Sequence, residues 1–336
     1  MSKITYGKQY IDSSDKASLD KTIKSEFLTT GPKVIEFEKK LQKYVGSKYA
    51  LSCSSGTAAL NLAIEALGLS VGSCVIIPTI NFISSFNICK KLKFRIYLCD
   101  VDRLTGQITP ELIKKYIKEN NIKKVDLLIS MYLGGFPENI EGIYKLKKKF
   151  KFKIIEDACH AFGAKYKFND VYYHVGKCKH SDISTFSFHP IKTITTGEGG
   201  LITTNNRNYY LKMKLLRSHG ISKSKSHWKY DVLLSGYNYR LSDINCALGL
   251  SQLKKINKFL NKRKKIYDFY KKELNNYNNI IKFPNYYKKN NSSYHLAIIN
   301  INFKKKKKNK DKFFKYMLQK KIVLQYHYIP IHTFKV

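Results

Sequence analysis

The sequence predicts an α/β fold: a large domain built on a mainly parallel sheet, then a smaller α+β domain that closes the chain. Three observations predict it. Between residues 34 and 217, short apolar strand-like runs alternate with amphipathic helical stretches of about ten residues, the signature of βαβ units. After residue 245 the texture changes to long lysine-rich helical patterns. The 336 residues are 43% hydrophobic, enough for a substantial core. The expected division is 1–245, including a polar N-terminal segment 1–30, and 246–336.

Each element has a local reason. Residues 1–30 read as irregular, with a helix start at Ser13–Asp15. Val34, Ile35, Phe37, Leu41, Tyr44 and Val45 recur at helical spacing. A second helix fits Thr57–Leu67. Cys74–Ile77 is an apolar run closed by Pro78, followed by a helix at Asn81–Lys91 and a strand at Phe94–Cys99. Thr109 suits the cap of a helix over Pro110–Glu119. Strands are expected at Val125–Tyr132, Lys153–Glu156, Ile183–Phe188 and Leu201–Thr204, with helices at Ile140–Phe150 and Tyr209–Arg217. Helices over roughly 246–275 lead to a strand at His295–Ile301, a helix at Lys310–Lys320 and a strand at Ile322–Tyr326. No internal repeat is present.

Composition narrows the function classes. No run of about 18 apolar residues exists to span a membrane, and Met1–Lys8 has no apolar signal core. Seven cysteines are scattered without a CxxC pair, which reads as reduced thiols in the cytoplasm and not as a disulfide framework or zinc site. The net charge of +38 raises nucleic acid as a partner. Only six of the 62 basic side chains are arginine, the residue favoured for base readout and phosphate clamps. The lysines are spread along the chain apart from one run at Lys304–Lys308. Compositional bias is therefore favoured over nucleic-acid binding, and the basic surface would steer small anions.

Three segments carry chemistry. In Ser54–Leu60, hydroxyl residues and Gly56 precede a helix, whose N-terminal amides form an anion site; the same residues serve equally as an ordinary cap. In Ile154–Gly163 a strand ends in the acid pair Glu156–Asp157, then His160. Ligands in open α/β sheets gather at such strand ends. Asp157 there can hold a pyridinium or ribose, bind a metal or cap a helix, and His160 can be a satisfied core residue. In Ser184–Gly200, Lys192 sits between an apolar strand and a glycine-rich turn. Most of the lysines are surface charges, but this setting suggests a half-buried amine, whose lowered pKa makes it a nucleophile. Together the three supply the parts of a pyridoxal 5′-phosphate site: an amine, a carboxylate for the ring nitrogen and donors for the phosphate.

In order and spacing, SGTAAL, EDACHAFGA, SFHPIKTITTGEGG, SHG at 218–220 and GYNYRLSDINCALGLSQL at 236–253 resemble the DegT/DnrJ/EryC1/StrS family of sugar aminotransferases, of the aspartate-aminotransferase fold type (fold type I). The resemblance runs from about Leu28 to near the end. It implies that Lys192 is the Schiff-base lysine and proton shuttle, that Asp157 pairs with the pyridinium nitrogen, and that His160 lies beside the ring and its 3′-oxygen. Phe82 would stack on the ring. Gly56, Thr57 and Ser187 would hold the phosphate, and Asn238 would reach it from a partner subunit, making a homodimer part of the site. Arg240 would lie near that shared site, with Tyr6, His189 and His327 toward the substrate. No metal is implied.

Within the family the sequence looks more like the pseudaminic acid branch, on His160, His189, the LGLSQLKK run at 248–255 and the run Gln325–Ile331. That implies transfer of the amino group of L-glutamate, leaving 2-oxoglutarate, to the C4 ketone of a UDP-linked 4-keto-6-deoxy-N-acetylhexosamine. The product would be UDP-4-amino-4,6-dideoxy-N-acetyl-β-L-altrosamine. The alternatives are a 3- or 4-aminotransferase for another nucleotide sugar, a non-catalytic cofactor-binding regulator and a basic nucleic-acid-binding protein. Family members continue for several tens of residues beyond the segment matching Tyr326–Ile331, so the small domain is expected to be incomplete.

Overall fold

The computed structural model describes residues 3–223, 226, 228–303 and 309–335; the Lys304–Lys308 run lies outside them. Helix α1 (Ser13–Ile23) opens on a reciprocal cap: Asp12 accepts from the Ser14 and Asp15 amides, and the Asp15 carboxylate accepts from the Asp12 amide. Helix α2 (Pro32–Val45) starts on proline and buries Val34, Phe37, Leu41 and Val45 on one stripe. There follow β1 (Tyr49–Cys53), α3 (Gly56–Ala66), β2 (Cys74–Pro78), α4 (Ser84–Lys91), β3 (Arg95–Cys99), α5 (Pro110–Glu119), β4 (Leu127–Met131), α6 (Ile140–Phe150) and β5 (Lys153–Asp157). Strands β6 (Lys165–Phe168) and β7 (Val171–His174) form a hairpin. Next come β8 (Ile183–Ser187), β9 (Gly200–Thr204), α7 (Arg207–Arg217) and a second hairpin, β10 (Ile221–Lys223) with β11 (Tyr230–Val232). The chain ends through α8 (Asp243–Lys254), α9 (Ile256–Glu273), the paired β12 (Ile281–Lys282) and β13 (Asn300–Ile301), and α10 (Lys310–Gln319).

Seven strands form one sheet in the order β1-β9-β8-β5-β4-β2-β3. The pairs β8–β5, β5–β4, β4–β2 and β2–β3 are parallel, and β9 is antiparallel to both its neighbours. Six strands therefore run one way and β9 alone runs back. The mainly parallel mixed sheet expected from the alternating pattern is present. Its consequence is positional: the carboxyl ends of β1, β2, β4, β5 and β8 (Cys53, Pro78, Met131, Asp157 and Ser187) share one edge, where ligands of such sheets collect.

Successive strand residues point to opposite faces, and the core divides accordingly. Ala50 and Leu201 join α2 and α8 on one face through Phe37, Leu41, Cys246 and Leu250. Leu51 and Ile202 join α3 and α7 on the other through Leu62, Met213 and Leu216. A third cluster seats α5 and α6 against the far strands through Ile113, Leu146 and Ile154. All seven cysteines are free thiols, and no helix among the described residues is long and apolar enough to cross a membrane.

The C-terminal strands need correction. Only Asn300 and Ile301 of His295–Ile301 are strand, because the Ser293, His295 and Leu296 amides bond instead to the carbonyls of Gly135 and Gly134. Ile322–Tyr326 is no strand: its Ile322 makes one isolated bridge with Ile4. Helix α4 starts at Ser84, three residues later than expected, since the Asn81 side chain accepts from the Phe82 amide and holds those residues in a turn. The expected run 246–275 is two helices that meet at Lys255, the first opening on a Ser242 cap.

Candidate active site

The acid pair at the end of β5 is split by the strand's alternation. Glu156 is buried and accepts from the Tyr132 hydroxyl at 2.8 Å and from the Ser184 hydroxyl, so its role is inside the sheet. Asp157, 3% exposed, ends the strand on the ligand-binding edge. Its Oδ1 accepts from the Cys159 amide at 3.3 Å, and among the described residues it forms no ion pair at close range. Burial raises its pKa, with the Cys159 donors and the charge of Lys192 opposing.

Lys192 stands in the turn after β8. Its amide donates to the His189 carbonyl at 2.9 Å. The rest of the turn is pinned by the Thr195 hydroxyl on the Phe188 carbonyl (3.0 Å) and by the Asn245 amide of α8 on the Thr196 carbonyl (2.6 Å). Arg263 of α9 donates to the carbonyls of Ile191 and Lys192, each at 3.2 Å. Burial lowers the Lys192 pKa below its ordinary 10.5, Cys159 and Asp157 oppose that, and Arg263 adds to it. The result is an amine biased toward its neutral, nucleophilic form.

His160 is 2% exposed. The Gly134 amide donates to its Nδ1 at 3.3 Å, and its Nε2 lies 3.0 Å from the Tyr328 hydroxyl. Burial, then the positive field of Lys192, holds it well below the usual histidine range. A neutral ring that accepts at Nδ1 carries its proton on Nε2. His295 packs on it at 4.3 Å between ring centroids, and both His295 nitrogens are buried without a hydrogen-bond partner among the described residues. His327 lies 6.2 Å from the His160 ring and 5.6 Å from the ring of Tyr6. Its pKa is pulled down to about 4 by burial and Lys192. Tyr6, His160 and His327 thus meet in one aromatic wall.

The anion end is also assembled. Ser55 caps α3 by accepting from the Ala58 amide at 3.0 Å, and the Gly56 and Thr57 amides open the helix. A Cβ at Gly56 would stand 2.8 Å from Ser187 Cβ and 3.2 Å from Cys159 Sγ, so the three segments converge on a cradle that only glycine leaves open. Phe82 follows β2, half exposed, with its ring 5.8 Å from that of Tyr328. Asn238 is exposed, and the carbonyl of neighbouring Tyr239 accepts from the Ser54 amide at 2.9 Å. That bond lays the segment carrying Asn238 and Arg240 beside the start of α3. His189 is turned outward, 4.0 Å from Glu198. Among the described residues, no hydrogen bond, ion pair or ring contact joins the side chains of Asn238, Arg240 or His189 to the Lys192 cluster.

These residues fit pyridoxal phosphate. A buried carboxylate with no ion pair among the described residues suits a protonated ring nitrogen, a half-buried lysine of lowered pKa suits an aldehyde, and the Gly56 cradle beside helix amides and Ser187 suits a phosphate. Four contributors escaped sequence reasoning. Tyr328 adjoins His327 in a run already singled out, and Cys159 lies inside the acid-pair segment. His295 and Arg263 sit in lysine- and asparagine-rich stretches with no local pattern, and only the fold brings them in.

Known proteins match this architecture. Residues 9–336 match the model of the DegT/DnrJ/EryC1/StrS aminotransferase family. The chain is 39% identical over 333 residues to a UDP-4-amino-4,6-dideoxy-N-acetyl-beta-L-altrosamine transaminase of Campylobacter jejuni, covering 98% of this chain and 85% of that protein. It superposes on Helicobacter pylori PseC, an aminotransferase involved in the biosynthesis of pseudoaminic acid, with a TM-score of 0.89 and 30% identity over 99% of this chain and 86% of the other. Bacillus subtilis NtdA with bound cofactor PMP superposes with a TM-score of 0.82 and 25% identity, covering 97% and 72%. The chain belongs to the DegT/DnrJ/EryC1/StrS aminotransferase family.

Proposed function

We propose that the chain is a pyridoxal-phosphate-dependent aminotransferase that moves the amino group of L-glutamate to the C4 ketone of a UDP-linked 4-keto-6-deoxy-N-acetylhexosamine. The product is UDP-4-amino-4,6-dideoxy-N-acetyl-β-L-altrosamine, and 2-oxoglutarate leaves. The observation that carries the chemistry is the meeting of half-buried Lys192 and buried Asp157 on the edge formed by the strand ends, beside the Gly56 cradle. The substrate rests on the 39% identity to the Campylobacter transaminase.

When bound, the cofactor supplies the electron sink that makes the donor carbon acidic. The chain's residues do the rest. Lys192 would hold the cofactor at its aldehyde and move a proton at its Nζ. Asp157 keeps the ring nitrogen protonated, an electrostatic role strengthened by burial. His160, neutral with its proton on Nε2, offers Nε2–H to Tyr328 and stands beside the 3′-oxygen. Gly56, Thr57 and Ser187 orient the phosphate, and Phe82 covers the ring. Tyr6, His189, Arg240 and His327 contact the sugar nucleotide.

The proposal includes a homodimer, supported by the exposed Asn238 beside the anion cradle, and a cytoplasmic setting, supported by seven free thiols. A division into 1–245 and 246–336 is likewise proposed, and limited proteolysis tests it. The decisive experiment incubates the chain with pyridoxal phosphate, glutamate and the UDP-4-ketosugar, following 2-oxoglutarate and the sugar's mass. Both products are expected together. Turnover with a GDP- or dTDP-linked ketosugar but none with the UDP sugar would move the function to another nucleotide-sugar aminotransferase.

A further inference from the structure

Arg263 lies on α9, eight residues past the LGLSQLKK run and outside every segment that carried a motif. It is largely buried, and its guanidinium spreads over three carbonyls: Nη2 donates to Ile191 and Lys192 at 3.2 Å each, and Nη1 donates to His295 at 3.3 Å. Among the described residues it forms no salt bridge. The lysine turn and the His295 segment belong to different parts of the chain. The His295 amide is tied in turn to Gly134, whose own amide holds His160. One planar fork thus joins the backbone of the proposed nucleophile to the backbone behind its imidazole neighbours. A lysine, as a point charge on a flexible stem, cannot reproduce that geometry.

We propose that Arg263 is a positioning residue: it fixes the Lys192 turn against the His295 segment so that the amine meets the cofactor aldehyde. This rests on the reading of Lys192 as the cofactor lysine. The groups around the amine are Asp157, Cys159 and His160 at the end of β5, His295 before β13, His327 near the C-terminus, and Arg263 itself. The histidines are held neutral, so Arg263 is the standing positive charge in that ring. Its field favours the neutral amine, and its hydrogen bonds set the amine's place.

The test mixes the full-length apo chain with pyridoxal phosphate and follows the visible absorbance band across a pH series. Arg263→Met is expected to form the band about tenfold more slowly, the loss of a charge-assisted hydrogen bond. Removing the charge also moves the midpoint of the pH profile upward. Arg263→Lys keeps the charge, so its midpoint stays near that of the unaltered chain while its rate stays low. A residue that only stabilised the fold would lower the melting temperature and leave both readouts unchanged well below melting, which overturns the proposal. If Arg263→Met does not fold, Arg263→Lys decides: band formation at the unaltered rate overturns it. Failure of both variants to fold assigns the fork to structure and overturns it too. Lys192→Ala separates the underlying reading. A band that survives in Lys192→Ala removes Lys192 as the cofactor lysine. A band lost there but unaffected in Arg263→Met removes only the role of Arg263.

Discussion

The Tyr328 hydroxyl and His160 Nε2 lie 3.0 Å apart, while the Gly134 amide donates to the other ring nitrogen of the same histidine. With Nδ1 committed as acceptor, the neutral ring donates from Nε2, and Tyr328 receives that proton's hydrogen bond. Burial raises the Tyr328 pKa, and the charges of Asp157 and Cys159 raise it further. It therefore remains a phenol. Residue 160 is thereby an oriented dipole, not a titrating acid. Tyr328→Phe deletes the acceptor and leaves the Nε2–H buried. A neutral hydrogen bond contributes about 1 kcal/mol, so turnover should fall about three- to tenfold with the cofactor still bound. Steady-state rates at saturating pyridoxal phosphate check this; an unchanged rate would separate the pair from catalysis.

The same geometry fixes a pH expectation. His160 is held well below the histidine range and His327 is drawn down to about 4. Both folded-state values are depressed, so neither ring gains a proton as pH falls through the ordinary histidine range. The rate at saturating substrates should show no limb near pH 6.5, and a histidine limb should emerge only toward pH 4. A midpoint near 6.5 that disappears in His160→Asn would show a solvent-coupled ring and refute the buried-dipole account.

In the proposed function Lys192 and Asp157 divide the chemistry between them. Lys192→Ala should give no visible band with pyridoxal phosphate and no turnover, and transamination at the unaltered rate would sink the assignment. Asp157→Ala should still capture the cofactor, because the amine remains. It should lose about a hundredfold or more in rate, on the scale of removing a preorganised electrostatic partner. Rates with cofactor held saturating distinguish lost chemistry from lost binding, and near-normal turnover would refute the pairing with the ring nitrogen.

How much of this was legible in the sequence follows from how local each signal is. The helix over Pro110–Glu119 carries its own Thr109 cap, it and the helix over Ile140–Phe150 both carry helical periodicity, and both are present within those bounds. Lys192, Asp157 and Gly56 each sit in a short segment that stands out by its composition, and the sheet brings the segments to one edge. The strand at Tyr49–Cys53 was missed because five residues between a helix and a loop offer too few alternations to read. His295–Ile301 looked like a strand because it is apolar. Its amides found the Gly134–Gly135 carbonyls, a tertiary choice that no local pattern encodes. Arg263 and His295 belong to the same class: their roles exist only once α9 and the lysine turn are side by side.

Gly135 offers the sharpest stability test. It stands at φ 88°, in the left-handed region, and a Cβ there would meet Ser293 Oγ at 2.0 Å and the His160 carbonyl oxygen at 2.6 Å. The Ser293 hydroxyl donates to that same carbonyl at 2.6 Å. Gly135→Ala must therefore push the Ser293 segment away from His160 as well as bear backbone strain of about 1–3 kcal/mol. Urea unfolding should show a loss of at least that size. Ser293→Ala in the same chain removes the nearest clash but not the one with the backbone, so rescue should be partial. Full recovery in the double variant would mean that the side-chain clash alone sets the cost. Gly135→Ala as stable as the unaltered chain would show that the turn beneath His160 can open, and the orientation of the His160 dipole would then need another support.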